Sequence, residues 1–102
     1  MPEGEPPKTF ISDLRPGRVV TFDAVVEKLD PGRTIEQRRG TTTQVRNGLL
    51  KDETGEVSIV LWGKETELMT VGDKVRIVDG WVKEYKGRPE VSLGRTGRVE
   101  KR

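Results

Sequence analysis

The sequence predicts an all-β domain, a small five-stranded Greek-key barrel with one short helix between the third and fourth strands. Three observations support this prediction. Five strand-length runs rich in Val, Ile and Phe are separated by Gly, Pro and Asp. One short stretch with helical character lies between the third and fourth runs. With 102 residues and 31% apolar content, the chain is large enough for a single modest core.

The first strand is predicted over Arg18–Leu29, after a short apolar plug at Phe10–Leu14 and a turn at Pro16-Gly17. Its apolar residues fall on both faces, as expected for a strand that curls and serves two sides of a small barrel. Asp30-Pro31-Gly32 closes this strand. The polar, basic stretch Arg33–Thr42 is predicted to be a flexible loop.

The second and third strands, Thr43–Lys51 and Glu56–Trp62, are predicted to form a hairpin. Asp52–Gly55 is the turn signal between them, and turn chemistry explains its carboxylates better than metal binding or acid–base catalysis. Gly48 marks a bulge or a close backbone approach. Alternation along the third strand puts three aliphatic residues on the core side and leaves Trp62 on the outward face.

A short connecting helix is predicted at Lys64–Met69, followed by the fourth strand over Asp73–Tyr85. Gly80 is a predicted bulge within that strand. The last strand is predicted over Glu90–Leu93, and Arg98–Arg102 is expected to trail away from the fold. These elements place the folded domain at residues 9–100.

The two ends of the chain are predicted to lie outside this domain. Met1–Lys8 contains three prolines and two glutamates and is expected to be disordered. Residues 101–102 form the C-terminal end.

The composition excludes several classes of function. The chain has no Cys and no His, so it lacks disulfides, thiolate metal ligands and the commonest general base. None of its three serines, Ser12, Ser58 and Ser92, has a partner able to activate a hydroxyl nucleophile. No stretch is apolar enough to span a membrane. We therefore expect no enzymatic activity, no metal, no cofactor and no membrane partner.

Positive charge is concentrated in two segments, although the formal net charge is only +2. Residues 33–51 carry five Lys and Arg against one Glu, and residues 83–102 carry seven against three Glu. Two such segments predict a surface for a polyanion. The alternative is a plain solvated surface, which is the commoner explanation of a charge run.

The stretch Trp81–Arg88 carries the clearest functional signal. In a strand, Trp81, Lys83 and Tyr85 share one face. A face of this composition is a poor core because it would bury an ammonium, but it suits a nucleobase that stacks on a ring while its phosphate pairs with lysine. The alternative is the solvent side of a half-buried strand, where such residues are ordinary.

Five strands with one helix between the third and fourth describe an oligonucleotide/oligosaccharide-binding barrel, the OB-fold. This fold presents its second and third strands, with the loops after the first and fourth, to its ligand. Here those regions contain Trp62, the Arg33–Arg39 loop and the Trp81–Arg88 stretch. Their convergence on one predicted surface favours nucleic-acid binding.

At these positions the sequence resembles the archaeal-type single-stranded DNA-binding proteins with a single OB-fold, relatives of replication protein A and of the eukaryotic single-barrel damage-response proteins. The resemblance runs from about Phe10 to Val99. The motifs that carry it are Asp13-Leu14-Arg15-Pro16-Gly17, Lys51-Asp52-Glu53-Thr54-Gly55, Leu61-Trp62-Gly63, Val71-Gly72-Asp73-Lys74-Val75, and Gly80-Trp81 with Tyr85-Lys86-Gly87. The combination of Leu-Trp-Gly with Trp-x3-Tyr-Lys-Gly is the most specific of these.

The resemblance implies that Trp62, Trp81 and Tyr85 stack successive bases, and that Ser92 stands where some relatives have a fourth aromatic. The candidates to follow the phosphates are seven cations: Arg33, Arg38, Arg39, Arg46, Lys83, Lys86 and Arg88. The implied function is largely sequence-independent coating of exposed single strands in replication, recombination and repair. Repair or replication proteins are the implied protein partners.

We also expect a monomer that is cytoplasmic and nucleoid-associated in a prokaryote, or nuclear in a eukaryote. Two alternatives stay open. One is an RNA-binding module, such as a tRNA-binding domain, because no residue pattern recognises a 2′-hydroxyl unambiguously. The other is a protein-interaction barrel in which Trp62 and Trp81 are buried against a partner chain.

Overall fold

A computed structural model describes residues 9–94 and 96–102, except for the side chain of Arg38. Met1–Lys8, predicted to be disordered, and Arg95 lie outside the described residues. Within the described ranges, no helix is both long enough and apolar enough to cross a membrane.

Seven β-strands and three short 3₁₀ helices make up the described part of the chain. The strands are β1 (Arg18–Leu29), β2 (Arg33–Glu36), β3 (Thr42–Asp52), β4 (Gly55–Trp62), β5 (Lys74–Tyr85), β6 (Arg88–Ser92) and β7 (Arg98–Lys101). The 3₁₀ helices are Ile11–Asp13, Arg38–Gly40 and Gly63–Glu67. The last of them lies where the sequence predicts the connecting helix, although it is a 3₁₀ helix and ends before Met69.

Five of the strands close a barrel. The N-terminal half of β1 pairs with β5 and its C-terminal half pairs with β3, both antiparallel. β3 pairs with β4, β4 pairs in parallel with β6, and β6 returns to β5. This circuit confirms the predicted OB-fold barrel. The buried apolar residues of β1, Phe22, Ala24 and Val26, share the inner face, whereas Val19 and Val25 on its other face are exposed.

The stretch Arg33–Thr42 is not the flexible loop that its composition predicts. Its first part is β2, which pairs antiparallel with the start of β3. The 3₁₀ turn Arg38–Gly40 forms the tip of this hairpin, and the N–H of Gln37 donates to the carbonyl oxygen of Thr41 (2.7 Å) across it. β2 is ordered because β3 supplies backbone partners, which the polar composition of the stretch could not indicate.

The C-terminal residues do not trail away from the fold. β7 pairs antiparallel with the part of β5 that also pairs with β1. Val99 lies opposite Ile77 in this ladder and packs against the core. The domain therefore extends to Lys101 and includes the strand that the sequence prediction omitted.

The core fills the inside of the barrel with aliphatic side chains. Those with no exposed surface are Leu50, Ile59, Leu61, Val75, Ile77, Val82 and Val91. Ile11 and Leu14 are buried against this cluster, which confirms the predicted plug. Gly48 is a close approach, as predicted, because a Cβ there would lie 2.8 Å from Cδ2 of Leu29.

The turn between β3 and β4 is organised by the carboxylate of Asp52. Its Oδ1 accepts hydrogen bonds from the N–H groups of Thr54 (2.7 Å) and Gly55 (3.1 Å) and from the Thr54 hydroxyl (2.6 Å). Its Oδ2 accepts from the N–H of Ile11 (2.8 Å), which ties the plug to the hairpin. Burial acts to raise the pKa of Asp52, but the four hydrogen bonds together outweigh it and lower the pKa below its ordinary value. The predicted turn role is confirmed.

A β-bulge in β5 precedes the aromatic stretch. The register with β1 shifts between Val20 and Phe22, so that Val78 and Asp79 together oppose Thr21. Asp79 adopts a left-handed conformation (φ 54°), and its N–H donates to the hydroxyl of Thr21 (3.1 Å). The extra residue thus lies at Asp79, directly before the position that the sequence predicts.

The bulge decides which side chains of β5 face outward. Before it, Val75 and Ile77 point into the core; after it, Gly80 and Val82 do. A one-residue shift moves every later side chain to the opposite face of a strand. Trp81 therefore points to solvent, although an uninterrupted strand would put it on the same face as Val75 and Ile77.

Candidate nucleic-acid interface

The sheet register brings the three predicted aromatic side chains to one surface. Trp81 and Tyr85 point outward from β5, and Trp62 points outward from the end of β4. Trp81 lies opposite Ser92 of β6, which lies opposite Val60 of β4. Side chains opposite one another share a face of the sheet. We call the outward surface of β4, β5 and β6 that carries Trp62, Trp81 and Tyr85 the aromatic face.

All three rings of the aromatic face are open to solvent. Trp62 and Trp81 are each 42% exposed, and Tyr85 is 55% exposed. From standard strand dimensions, the Cα atoms of Trp81 and Tyr85 are about 13 Å apart, and Trp62 lies about 12 Å from Trp81. At these separations each ring presents its own surface to a ligand instead of stacking on its neighbour.

A polar row crosses the aromatic face between Trp81 and Tyr85. Lys83 of β5 lies opposite Glu90 of β6, which lies opposite Ser58 of β4. The Nζ of Lys83 is 3.5 Å from Oε1 of Glu90, and the Glu90 side chain is only 10% exposed. The sequence predicts a phosphate contact for Lys83, but the structure pairs this ammonium with a carboxylate.

Two predicted cations border Tyr85 at the β5–β6 hairpin. Arg88 lies opposite Tyr85 and is exposed. Lys86 occupies the turn, with its Nζ 5.5 Å from the centre of the Tyr85 ring. Both turn residues have positive φ, 52° for Lys86 and 80° for Gly87, as a two-residue type I′ hairpin requires.

The β2–β3 hairpin carries predicted cations towards Trp62. Arg33 lies opposite Val45, and Val45 lies opposite Trp62, so Arg33 and Trp62 share a face two strands apart. Arg39 is exposed at the tip of the hairpin. The side chain of Arg38, also a predicted contact, lies outside the described part of the chain.

Arg46 does not join the other predicted cations. It lies opposite the core residue Leu61, on the side of β3 away from Trp62. Its Nε donates to the carbonyl oxygen of Asp30 (2.6 Å), and its Nη1 donates to that of Thr66 (3.2 Å). The guanidinium thus connects the turn after β1 to the 3₁₀ helix after β4.

Sequence reasoning missed two side chains of this surface. Val19 lies opposite Trp81 and is 56% exposed, so it extends the apolar area beside that ring. Lys28 lies opposite Leu49, which lies opposite Ser58, so it adds a cation at the far edge of the polar row. Nothing in the local sequence marks either residue, because strand register alone brings them here.

The geometry combines flat apolar surfaces with flanking positive charge. Arg33 shares a face with Trp62, and Arg39 is exposed at the tip of the β2–β3 hairpin. Lys86 and Arg88 border Tyr85. Exposed rings can stack on planar groups, and guanidinium and ammonium groups can contact anions beside them. A strand of nucleotides offers planar and anionic groups in regular alternation, so the surface is suited to it.

Comparison with known proteins agrees with the fold. A family model described as single-stranded DNA binding protein Ssb-like, OB fold, matches residues 9–101. The chain is 28% identical over 85 residues to the single-stranded DNA binding protein Ssb of Saccharolobus solfataricus. This matched region covers 82% of this chain and 57% of that protein. It is 41% identical over 84 residues to replication factor A of Methanothermobacter thermautotrophicus, and this matched region covers 81% of this chain and 10% of that protein.

A similar structure is that of the replication factor A related protein from Methanobacterium thermoautotrophicum. It superposes with a TM-score of 0.78 at 29% identity, over 94% of this chain and 91% of that one. The chain spans little more than half of one curated relative and a tenth of the other. Because the family model covers residues 9–101, the chain belongs to the Ssb-like family of OB-fold single-stranded DNA binding proteins.

Proposed function

We propose that this protein binds single-stranded DNA, largely without regard to sequence, by stacking bases on its aromatic face. The observation that carries the proposal is the exposure of Trp62, Trp81 and Tyr85 on one surface of the barrel. Family membership supports single strands as the ligand. Coating and protecting strands exposed during replication, recombination and repair is the cellular role that we propose on the same basis.

Stacking supplies most of the affinity in this proposal. Base–aromatic stacking contributes about 1–3 kcal/mol per base, and every base has a ring to stack, so the contact tolerates any sequence. A base stacked on Trp81 or Tyr85 can direct one polar edge towards the polar row that lies between these two rings. Duplex DNA binds poorly in this scheme because paired bases hide their faces in the helix.

Phosphate contacts come from cations around the aromatic face. We assign them to Arg33 and Arg39 of the β2–β3 hairpin, and to Lys86 and Arg88 beside Tyr85. A contact by Arg38 stays a prediction from the sequence. Arg46 is left out because two backbone carbonyls already hold its guanidinium.

Titration with oligo-dT, followed by tryptophan emission, tests the proposal. Both indoles lie on the aromatic face, so we expect strong quenching on binding, and we expect the affinity to fall as NaCl is raised. Trp62→Ala and Trp81→Ala should each weaken binding by about 5- to 150-fold, the equivalent of one lost stacking contact. Val71→Ala, which trims another exposed apolar side chain outside this face, is the matched control and should bind like wild type.

Three results would contradict the proposal. If neither Trp variant binds more weakly than wild type, the stacking assignment is wrong. Stronger binding of oligo-U than of a dT strand of equal length would favour an RNA-binding module. If oligonucleotides leave the emission unchanged while the protein self-associates on sizing, the aromatic face is a protein-binding surface.

A further inference from the structure

Glu90 is out of place on a surface that receives a polyanion. It lies in the polar row of the aromatic face, opposite Lys83 on one side and Ser58 on the other. Its side chain is 10% exposed, so the carboxylate is held close to the sheet instead of extending into solvent. A phosphate placed over this row would meet a negative charge, which favours a base at this point and a phosphate at the rim.

The carboxylate has acceptor capacity to spare. An ionised carboxylate can accept at about four lone-pair positions. Among the side chains that the structure describes, Lys83 is its one polar partner, at 3.5 Å. The Glu90 side chain also borders an open hollow beside the last ring of the aromatic face, lined by Ser58, Tyr85, Lys86, Arg88, Pro89 and Glu90. An acceptor-only group therefore lines the space next to a stacking ring.

A base stacked on Tyr85 has one edge directed at the polar row. Tyr85 is two residues beyond Lys83 along β5, a separation of about 7 Å, which places the row within reach of that edge. The row offers an ammonium from Lys83, a carboxylate from Glu90 and a hydroxyl from Ser58. Of these three groups, Lys83 can only donate, the Ser58 hydroxyl can donate or accept, and the Glu90 carboxylate can only accept, so a base that meets Glu90 must present a donor to it.

We infer that Glu90 selects the base at Tyr85 and favours cytosine over thymine. This inference rests on the proposed function. Cytosine carries an amino group at N4, which donates a hydrogen bond to a carboxylate, and its N3 and O2 can accept from Lys83 or Ser58. Thymine carries the acceptor O4 in place of that amino group. Its one donor on this edge, N3–H, lies between O4 and O2, so a thymine that donates to the carboxylate brings a carbonyl oxygen close to it. The protein is therefore tolerant of sequence at its other stacking positions and selective at this one.

Competition binding separates this preference from general affinity. A fluorescein-labelled dT strand of about 12 nucleotides is displaced by unlabelled strands of dT or of 5-methyl-dC, at about pH 8 so that cytosine stays unprotonated. These competitors share the 5-methyl group and differ in the groups at C4 and N3. We expect 5-methyl-dC to bind about fivefold more tightly than dT, the size of one charged hydrogen bond at a partly wet surface.

Glu90→Gln is the variant that tests the residue. Gln offers both a donor and an acceptor, so the ratio between the two strands should fall to near one. Glu84→Gln removes the same charge from an exposed position on the other face of β5 and should keep the wild-type ratio. Repeating the wild-type measurement with dC and dU strands tests the C4 group again without any protein variant.

The outcomes distinguish this inference from the proposed function. Equal binding of both competitors by wild type, or an unchanged ratio in Glu90→Gln, overturns the inference while the proposed function stands. A labelled strand that does not bind wild type at all overturns both.

Discussion

Asp52 connects three parts of the fold through one side chain. It accepts hydrogen bonds from Thr54 and Gly55 of its own turn and from Ile11 in the plug, 41 residues away in the sequence. Asn cannot replace it, because an amide has one acceptor oxygen and its NH₂ would face a backbone N–H. We expect Asp52→Asn to lower the free energy of unfolding by about 1–3 kcal/mol at neutral pH.

The contribution of Asp52 should depend on pH with a definite sign. Its pKa is lowered in the folded state, so its stabilisation is complete above the ordinary value of 3.8 and is lost as pH falls through the lower folded value. Urea unfolding of wild type and Asp52→Asn, measured between neutral and acidic pH, should show their free energies of unfolding converging in acid. Glu56→Gln, on the same hairpin, is the control. If the difference in unfolding free energy between wild type and Asp52→Asn stays constant down to the most acidic pH measured, ionised Asp52 is not the source of the stabilisation.

Lys86 occupies a turn position that favours other residues. With φ of 52° it sits where Asn or Gly is usual, and its ammonium lies over the ring of Tyr85. Lys86→Asn should relieve about 1 kcal/mol of backbone strain, partly offset by about 0.5 kcal/mol of lost cation–π interaction. We expect this variant to resist urea slightly better than wild type and to bind oligo-dT more weakly.

Lys86→Gln separates the two effects, because Gln removes the charge and keeps the strained turn. It should lose DNA affinity without gaining stability. If Lys86→Asn binds DNA as tightly as wild type, Lys86 contributes no phosphate contact.

At the scale of elements, the bulge at Asp79 governs where the aromatic residues of β5 point. A β-branched residue is strongly disfavoured at positive φ, whereas Gly adopts it without strain. We expect Asp79→Val to lower the free energy of unfolding by about 2 kcal/mol and Asp79→Gly to leave it nearly unchanged. Urea unfolding measures both, and tryptophan emission reports whether Trp81 stays exposed. Equal stability of the two variants would show that the left-handed conformation is not required.

The sequence predicted those elements whose signals are local. The five barrel strands follow from aliphatic runs, and the hairpin at Asp52 follows from its turn residues. β2 and β7 were missed because four-residue polar strands carry no such signal and are ordered by the edges of β3 and β5. The same distinction between local and long-range signals applies to the site. Alternation along one strand is a local signal, and it predicts that Trp81 and Tyr85 share a face. The pairing of Lys83 with Glu90 depends on the register between two strands, which no local pattern contains.

At the scale of the whole molecule, the placement of charge matters more than its total. The chain has a formal net charge of only +2, so electrostatic attraction to DNA depends on the cations around the aromatic face. Contacts to three or four phosphates predict a salt dependence of log K with a slope of about −2 to −3, at about 0.7 per contact for single strands.

The double variant Arg33→Gln, Arg88→Gln removes one proposed phosphate contact from each end of the aromatic face. Its salt slope should be weaker than that of wild type by about 1.4, two contacts at about 0.7 each. The double variant Arg98→Gln, Lys101→Gln removes the same charge from β7, where these side chains lie near Glu100 and Asp73. We expect this second double variant to keep the wild-type slope. Oligo-dT titration across a series of NaCl concentrations measures the slope of each protein. If the two double variants change the salt slope equally, DNA binding depends on the net charge of the protein and not on contacts with Arg33 and Arg88.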